Sequence, residues 1–235
     1  MNKKHFDNYQ VKKNYSKFLK GKRVVLVGPA WYTKNLGQRS LIESYDIIVR
    51  MNFGIRIRSN EVKKHIGHRT DILYSALSKV FFDQKLFTYR AMAKYAKNLK
   101  WICVTCPRQR AGGIRKFKKF NKRTKISFHR VNPQYYEYLY TIVKYKLTTG
   151  IITIYDLLQH DIKELFIIGM NFFDTTLIKK RRIYYSQYRD IPYARLRSRT
   201  HNLKREMKLF DRWCKKDKRI VCDNILQKTI EKYLK

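Results

Sequence analysis

The chain has 235 residues, of which 44% are hydrophobic and 14% aromatic, enough for one large domain or two small ones and too many for a disordered protein. No stretch reaches the roughly 18 consecutive apolar residues of a membrane span, and residues 1–20 lack the apolar core of a secretory signal. The formal net charge is +37, which favours anionic partners such as nucleic acid, anionic lipid or nucleotide phosphate. Because lysine is spread over the whole chain, composition explains this charge slightly better than a dedicated polyanion site does.

The N-terminal segment, residues 1–20, is predicted to be a basic amphipathic helix that precedes the main domain, residues 21–235. Its candidate apolar anchors are Phe6, Tyr9, Phe18 and Leu19. Docking of this helix on the core is the simpler interpretation, and contact with an anionic membrane surface is the alternative. The sequence therefore predicts a cytoplasmic protein or one bound peripherally to a membrane.

Beyond residue 22, short apolar runs alternate with helical patterns. The predicted strands cover residues 23–27, 46–50, 72–74, 101–105, 125–128, 165–169 and 219–222. Predicted helices begin at Pro133, Thr149 and His201. This alternation is typical of an α/β fold, and we expect a single Rossmann-like sandwich with a mostly parallel central sheet flanked by helices. Ligands of such sheets bind beyond the carboxyl ends of the strands, so these ends hold the functional candidates.

Four cysteines are present, namely Cys103, Cys106, Cys214 and Cys222. The first two form a C-x-x-C pair, but the second two are too widely spaced to complete a zinc ribbon. A zinc or redox role stays open, and buried reduced thiols are the favoured interpretation.

The first two candidate segments follow predicted strands. Gly28-Pro29-Ala30 forms a strand–glycine turn, which lets backbone approach a ligand closely. It contains neither G-x-G-x-x-G nor G-K-[ST], so dinucleotide and P-loop binding are not supported. Arg50 and Asn52 offer a cation and an amide at the next strand end, and Asn52 can bond a base or ribose edge. The alternatives are a surface ion pair for Arg50 and a turn for Asn52.

The other two candidate segments open helices. Thr148-Thr149-Gly150 combines hydroxyls, free amides and a positive dipole end, so it is a candidate anion site, with an ordinary N-cap as the alternative. His201 is predicted at a helix start, where the dipole disfavours imidazolium and leaves a base near pH 7. Glu206 lies about 140° farther around that helix and is not expected to orient His201. A surface or capping role for His201 is the alternative.

In their order along the chain and in their residues, these segments resemble the motifs of the sialyltransferases of glycosyltransferase family 29. The chain resembles a short viral or protist-like member of that family without a membrane anchor. The large motif of that family is similar to Val27-Gly28 through Arg50-Met51-Asn52, continuing to residue 71. Its small motif is similar to Thr148-Thr149-Gly150 through Gly169, and its last motif, His-x4-Glu, to His201 and Glu206. The resemblance covers roughly residues 23–223. Tyr184-Tyr185 is the nearest match to a third, His-Tyr motif, but lacks the His.

The resemblance implies a GT-A-like variant of the sandwich and inverting transfer of sialic acid, or a similar keto sugar acid, from a CMP-sugar to a glycan hydroxyl. It implies that no metal or cofactor is needed besides the donor substrate. His201 would be the general base. Donor-binding residues would be Gly28, Pro29, Ala30, Asn52, Thr148, Thr149, Gly150, Tyr184 and Tyr185, with Arg50, Gly169 and Glu206 as structural members of the motifs.

Two departures from the family stand out. An Asn that usually occupies the glycine turn is replaced by Pro29-Ala30, and the disulfide of the animal enzymes is missing, with His160 near the place of its second Cys. A reducing compartment would account for that loss. Two alternatives remain open: a basic nucleic-acid-binding protein that stacks tyrosines on bases, and a transferase of the same fold that uses CMP-Kdo. No nucleic-acid recognition module is legible, so no specific nucleic-acid partner is expected.

Overall fold

The computed structural model describes residues 13–30, 32–33, 37–57, 60–77, 85–95, 97–105, 111–124, 126–170, 172 and 201–234. Seven strands form one sheet: β1 Arg23–Val27, β2 Ile47–Met51, β3 Ile72–Ser75, β4 Trp101–Val104, β5 Ser127–Arg130, β6 Glu164–Ile168 and β7 Ile220–Cys222. The helices are α1 (13–19), α2 Arg39–Glu43, α3 Asn60–Ile66, α4 Tyr89–Tyr95, α5 Ala111–Thr124, α6 Pro133–Val143, α7 Thr149–Leu158, α8 Leu203–Lys216 and α9 Asn224–Leu234. A short 3-10 turn, Asn52–Ile55, follows β2.

The strands lie in the order β5-β4-β3-β2-β1-β6-β7, and all six pairings are parallel. From β1 to β5 the chain steps outward on one side of β1, whereas β6 and β7 are added on the other side. The direction of winding therefore reverses between β1 and β6, which is where open α/β sheets form a ligand crevice at the carboxyl edge. The predicted parallel α/β sandwich is confirmed.

Both faces of the sheet are covered, which explains why its strands are apolar on both sides. In β1, Val24 and Leu26 join one core cluster, and Val25 and Val27 join another on the opposite face. Helices α1, α6, α7, α8 and α9 contribute buried residues to the first face, and α2 to α5 contribute to the second. The result is a three-layer arrangement with the sheet in the middle.

Helix α1 packs on the core. Of its predicted anchors, Leu19 is fully buried and Phe18 packs against the same cluster, together with Tyr15, which was not predicted. Phe6 and Tyr9 lie outside the described residues. Within the described ranges, no helix combines the length and apolarity that a membrane crossing requires.

Some predicted boundaries were wrong. Strand β5 begins two residues later than predicted, because pairing with β4 places Ser127 opposite Trp101. Helix α8 begins at Leu203 rather than at His201, since the Asn202 side chain accepts the backbone N–H of Arg205 and so forms the N-cap.

Candidate active site

The carboxyl ends of β1 and β6 approach each other through two glycines. The N–H of Gly28 donates to the Ile168 carbonyl at 2.7 Å, and the N–H of Ala30 donates to that of Gly169 at 2.9 Å. A β-carbon on Gly28 would collide with the Gly169 carbonyl oxygen. Gly169 also has a φ of +76°, which side chains rarely adopt. The turns that follow β1 and β6 therefore contact each other through backbone atoms, and we call this contact the Gly28–Gly169 floor.

Met170 connects this floor to the start of α7. A β-carbon on Gly28 would lie 2.5 Å from Met170 Cγ, and one on Gly150 would lie 2.7 Å from Met170 Cε. The methionine side chain thus fills the space between the two glycines, and at Gly28 it and the Gly169 carbonyl leave no room for a side chain. The first turn of α7 consequently lies next to the point where the winding of the sheet reverses.

The start of α7 leaves donors available at this edge. Thr148, rather than Thr149, is the N-cap, and its hydroxyl accepts the N–H of Ile151 at 3.4 Å. By helix geometry, the amides of Thr149 and Gly150 have no acceptor within the helix. These amides and the positive end of the helix dipole favour an anion here.

Glu206 joins helix α8 to this turn. Its carboxylate accepts the Thr148 N–H at 2.7 Å and the Thr148 hydroxyl at 2.6 Å. Burial raises the pKa of Glu206 to about 7, although the two Thr148 contacts oppose the rise. Both donors of Thr148 are therefore engaged by Glu206, so the predicted anion contacts fall to Thr149 and Gly150. Glu206 does not contact His201 in these hydrogen bonds.

Asn52 bridges α7 and the end of β3. Its side-chain N–H donates to the Thr149 hydroxyl at 3.2 Å, and its carbonyl oxygen accepts the N–H of Ala76 at 3.2 Å. Its φ of +49° is left-handed, a conformation that Asn tolerates better than most residues. The amide has a second N–H, so an oriented donor remains for a ligand.

Arg50, in contrast, lies inside the protein. Its side chain is fully buried, with Nε donating to the Arg69 carbonyl at 3.2 Å and Nη2 donating to the Ile66 carbonyl at 2.7 Å. The alternative of a surface ion pair is therefore wrong. Arg50 ties β2 to the segment that leads into β3, in keeping with a structural role.

His201 is oriented by a backbone carbonyl. Its Nδ1 lies 2.6 Å from the Lys146 carbonyl oxygen, which can only accept, so Nδ1 carries a hydrogen and a neutral ring leaves a lone pair on Nε2. Burial lowers the pKa of His201, and the nearby charge of Lys146 adds to this. The ring lies one residue before the Asn202 N-cap of α8, and the predicted effect of the helix dipole on it stays a prediction.

Asp223 is a residue that the sequence analysis missed. One carboxylate oxygen accepts the N–H of Gly169 at 2.9 Å and the Tyr32 hydroxyl at 2.7 Å. The other accepts the N–H of Leu226 at 2.8 Å at the start of α9. An Asp between a short strand and an amphipathic helix is a recognisable N-cap, and this signal could have found it. Asp223 fixes the turn after β6.

These contacts gather most of the predicted residues at one edge of the sheet. The residues joined there are Gly28, Ala30, Asn52, Thr148, Thr149, Gly150, Gly169 and Glu206. Pro29 lies half-buried in the turn between Gly28 and Ala30, and His201 reaches the edge through Lys146. Tyr184 and Tyr185 lie outside the described residues.

A second polar cluster lies deeper, at the other end of α7. Asp156 accepts the Tyr74 hydroxyl at 2.6 Å and lies 3.1 Å from His129 Nε2, with His160 close enough for the three to share a cation. Burial alone would raise the pKa of Asp156, but His129, His160 and Tyr74 together hold it below its ordinary value. Tyr15 stacks on His129 with ring centroids 4.1 Å apart. This cluster, the buried network, is apart from the carboxyl edge.

The parallel sheet and its winding reversal define a Rossmann-like α/β fold, and solved structures of sialyltransferases share this fold. The structure of sialyltransferase CstII from Campylobacter jejuni with cytidine-5'-monophosphate matches with a TM-score of 0.58 and 14% identity, over 86% of this chain and 80% of that chain. A mammalian sialyltransferase in complex with Gal-beta-1-3GalNAc-ortho-nitrophenol matches with a TM-score of 0.58 and 13% identity, over 88% and 71%. An α-2,3-sialyltransferase from C. jejuni in apo form matches with a TM-score of 0.56 and 13% identity, over 87% of this chain and 76% of that chain. No protein-family profile and no curated protein matches the sequence.

Proposed function

We propose that the protein is an inverting glycosyltransferase that moves sialic acid, or a similar keto sugar acid, from a CMP-sugar to a glycan hydroxyl. The observation that carries this proposal is the start of α7 next to the winding reversal of the sheet, with Asn52 bonded to Thr149 and with His201 bonded to the Lys146 carbonyl just before this helix. The fold shared with sialyltransferases, one of them bound to CMP, supports it.

In this proposal the start of α7 holds the phosphate of the donor. As the bond between the sugar and CMP breaks, negative charge grows on the phosphate, and donors already in place there lower the barrier. The amides of Thr149 and Gly150 and the helix dipole are such donors. The two glycines Gly28 and Gly169 let β1, β6 and Met170 pack closely beside this turn, and the second side-chain N–H of Asn52 is a donor for the nucleotide.

His201 acts as the base on the acceptor. Its Nε2 removes the proton of the acceptor hydroxyl while the oxygen attacks the anomeric carbon, and CMP leaves with the bonding electrons. The Lys146 carbonyl holds the Nδ1 hydrogen, which fixes the tautomer before the reaction and stabilises the imidazolium that forms. The positive end of α7 takes the phosphate charge, so this scheme requires no metal.

Selective binding of CMP tests the ligand class. We expect CMP to raise the melting temperature more than AMP, GMP or UMP, and the difference to persist at high salt, because nonspecific attraction of phosphate to a basic chain fades with salt. Equal shifts with all four nucleotides would indicate charge attraction alone and would favour the nucleic-acid-binding alternative. A hydrolysis screen of CMP-sugars then identifies the donor and separates sialic acid from Kdo.

A pair of threonine variants in α7 locates the site. Thr149→Val removes the hydroxyl that contacts Asn52 and should weaken CMP binding on the order of tenfold, the value of a hydrogen bond to a charged group. Thr153→Val, one turn later in the buried part of the same helix, is the matched control and should leave CMP affinity unchanged. Equal affinities of the two variants would place the phosphate elsewhere.

A further inference from the structure

Two cysteine side chains, Cys214 and Cys222, contact each other outside the candidate active site. Cys214 lies in the last turns of α8 and Cys222 at the end of β7, with their sulfur atoms 4.0 Å apart. Both side chains are half-buried, so a small soluble reagent can reach this pair, whereas Cys103 is fully buried. A disulfide has an S–S bond of about 2.05 Å, so an approach of roughly 2 Å would join the two sulfurs.

The contact between the thiols also divides their reactivity. The hydrogen bond from Cys222 lowers the pKa of Cys214, while the same contact is the main reason that the pKa of Cys222 is raised. Burial raises the pKa of Cys103 well above its ordinary value. Since the thiolate is the reactive form and a hydrogen bond from one thiol stabilises the thiolate of the other, the contact favours reaction at this pair over Cys103. Once Cys214 has been capped, the contact that restrains Cys222 is gone.

The position of the pair connects it to the carboxyl edge of the sheet. Cys222 directly precedes Asp223, whose carboxylate holds the N–H of Gly169 and the Tyr32 hydroxyl. Helix α8, which carries Cys214 near its end, also carries Glu206, the partner of Thr148. A covalent bond between the two cysteines would therefore connect the two elements that support opposite sides of this edge.

We propose that Cys214 and Cys222 form a reversible disulfide that fastens the end of α8 to β7 beside Asp223. The oxidant is a small disulfide such as oxidised glutathione. The Cys214 thiolate attacks one glutathione sulfur, the glutathione S–S bond breaks, and one glutathione thiolate leaves. The Cys222 thiolate then attacks the Cys214 sulfur and displaces the second glutathione. Two protein thiols lose two electrons and two protons, and one molecule of oxidised glutathione takes them up to give two molecules of reduced glutathione.

The test uses the full chain carrying Cys106→Ser, equilibrated in a series of glutathione redox buffers, alkylated with N-ethylmaleimide and mapped by mass spectrometry. We expect a linked peptide between Cys214 and Cys222, with Cys103 remaining reduced. The effective concentration of the pair should be at least about tenfold higher in the native protein than in concentrated guanidinium chloride, because folding holds the sulfurs together. The same or a lower value in the native protein would overturn the proposal.

Two single variants and one local probe complete the test. Cys214→Ser and Cys222→Ser each leave one thiol of the pair, so both should stop at a mixed disulfide with glutathione. A linked peptide that persists in either variant would show that another cysteine is the partner. Hydrogen exchange of the Gly169 amide, which donates to Asp223, should slow severalfold on oxidation. An unchanged exchange rate would refute the fastening. None of these measurements depends on the proposed transferase activity.

Discussion

Helix α7 has polar contacts near both ends, and the two sets differ in how completely they are enclosed. In its last turn, Asp156 is 1% exposed and is held by Tyr74 and His129, in the middle of the buried network. At its start, Thr149 and Asn52 are partly exposed and retain a hydroxyl hydrogen and an amide N–H that can serve a ligand. An enclosed cluster stabilises the fold, whereas a cluster that is held in place but keeps donors near the surface can bind a ligand.

The two ends also show how neighbours set the charge of a buried carboxyl group. Asp156 and Glu206 are both almost fully removed from water. Asp156 lies beside imidazoles, which lower its pKa, whereas the contacts that Glu206 makes with Thr148 do not offset burial, and its pKa rises to about 7. The same side-chain chemistry therefore gives a fixed ion at one end of the helix and a titrating group at the other.

The largest expected effect comes from removing the candidate base. His201→Ala should lower the rate of sugar transfer roughly 10²–10⁴-fold, the usual contribution of general base catalysis, with little change in CMP affinity. In the unaltered protein, the rate should fall with decreasing pH only below the lowered pKa of His201. Steady-state kinetics over a pH series, with CMP binding measured separately, checks both statements.

His68→Ala is the matched control, because His68 is exposed and only its backbone N–H contacts Glu43. It should transfer sugar at the unaltered rate. A near-normal rate in His201→Ala would mean that the base lies elsewhere, and the carboxyl edge of the sheet would then serve binding alone.

The next effect concerns the buried network. Asp156→Asn removes the carboxylate that accepts the Tyr74 hydroxyl and faces His129, and it should destabilise the fold by about 3 kcal/mol, the cost of leaving buried hydrogen-bonding groups without a charged partner. Because the pKa of Asp156 is lowered in the folded state, its stabilisation is present above the unfolded pKa and is lost as pH falls. Urea unfolding at several pH values measures this, and the exposed Asp161→Asn is the control. Equal stabilities of the two variants would contradict the structural role of the network.

Glu206 gives an opposite dependence on pH. Its pKa is raised in the folded state, so its favourable contribution is full below the unfolded pKa, near 4.5, and is lost as pH rises through about 7. The loss is on the order of 3 kcal/mol, from the conversion of a pKa shift to free energy. Glu206→Gln resembles the neutral carboxyl group, because its oxygen can accept the Thr148 N–H and its NH2 can donate to the Thr148 hydroxyl, so its unfolding free energy should vary less between pH 5 and pH 8. The exposed Glu231→Gln should keep the pH dependence of the unaltered chain.

The sequence predicted those features that depend on local pattern. Strands β1 and β6 were visible as apolar runs that end in Gly28 and Gly169, and the start of α7 was visible as a Thr-Thr-Gly segment before an apolar helix. The strand order, with its reversal between β1 and β6, was not predicted, because parallel pairing alone does not fix which strands are neighbours. Helix α5 was missed because lysines and arginines occupy six of its fourteen positions and few of its residues, such as Phe117, reach the core. Contacts made to backbone atoms far along the chain leave no local pattern. The carbonyl that orients His201 and the N–H that Asp223 accepts lie more than 50 residues away in sequence.

The strand order has a consequence for how the protein is made. Strands β1 to β5 pair with neighbours in chain order, so each can join the sheet soon after it leaves the ribosome. The other edge of β1 must wait for β6, about 140 residues later, which corresponds to roughly 7–28 s of synthesis. During that time the open edge of β1 is free to pair with other nascent chains, and neither the Gly28–Gly169 floor nor the start of α7 above it is complete. A translation pause before β6 would therefore lengthen the period in which the polypeptide is both inactive and prone to aggregate.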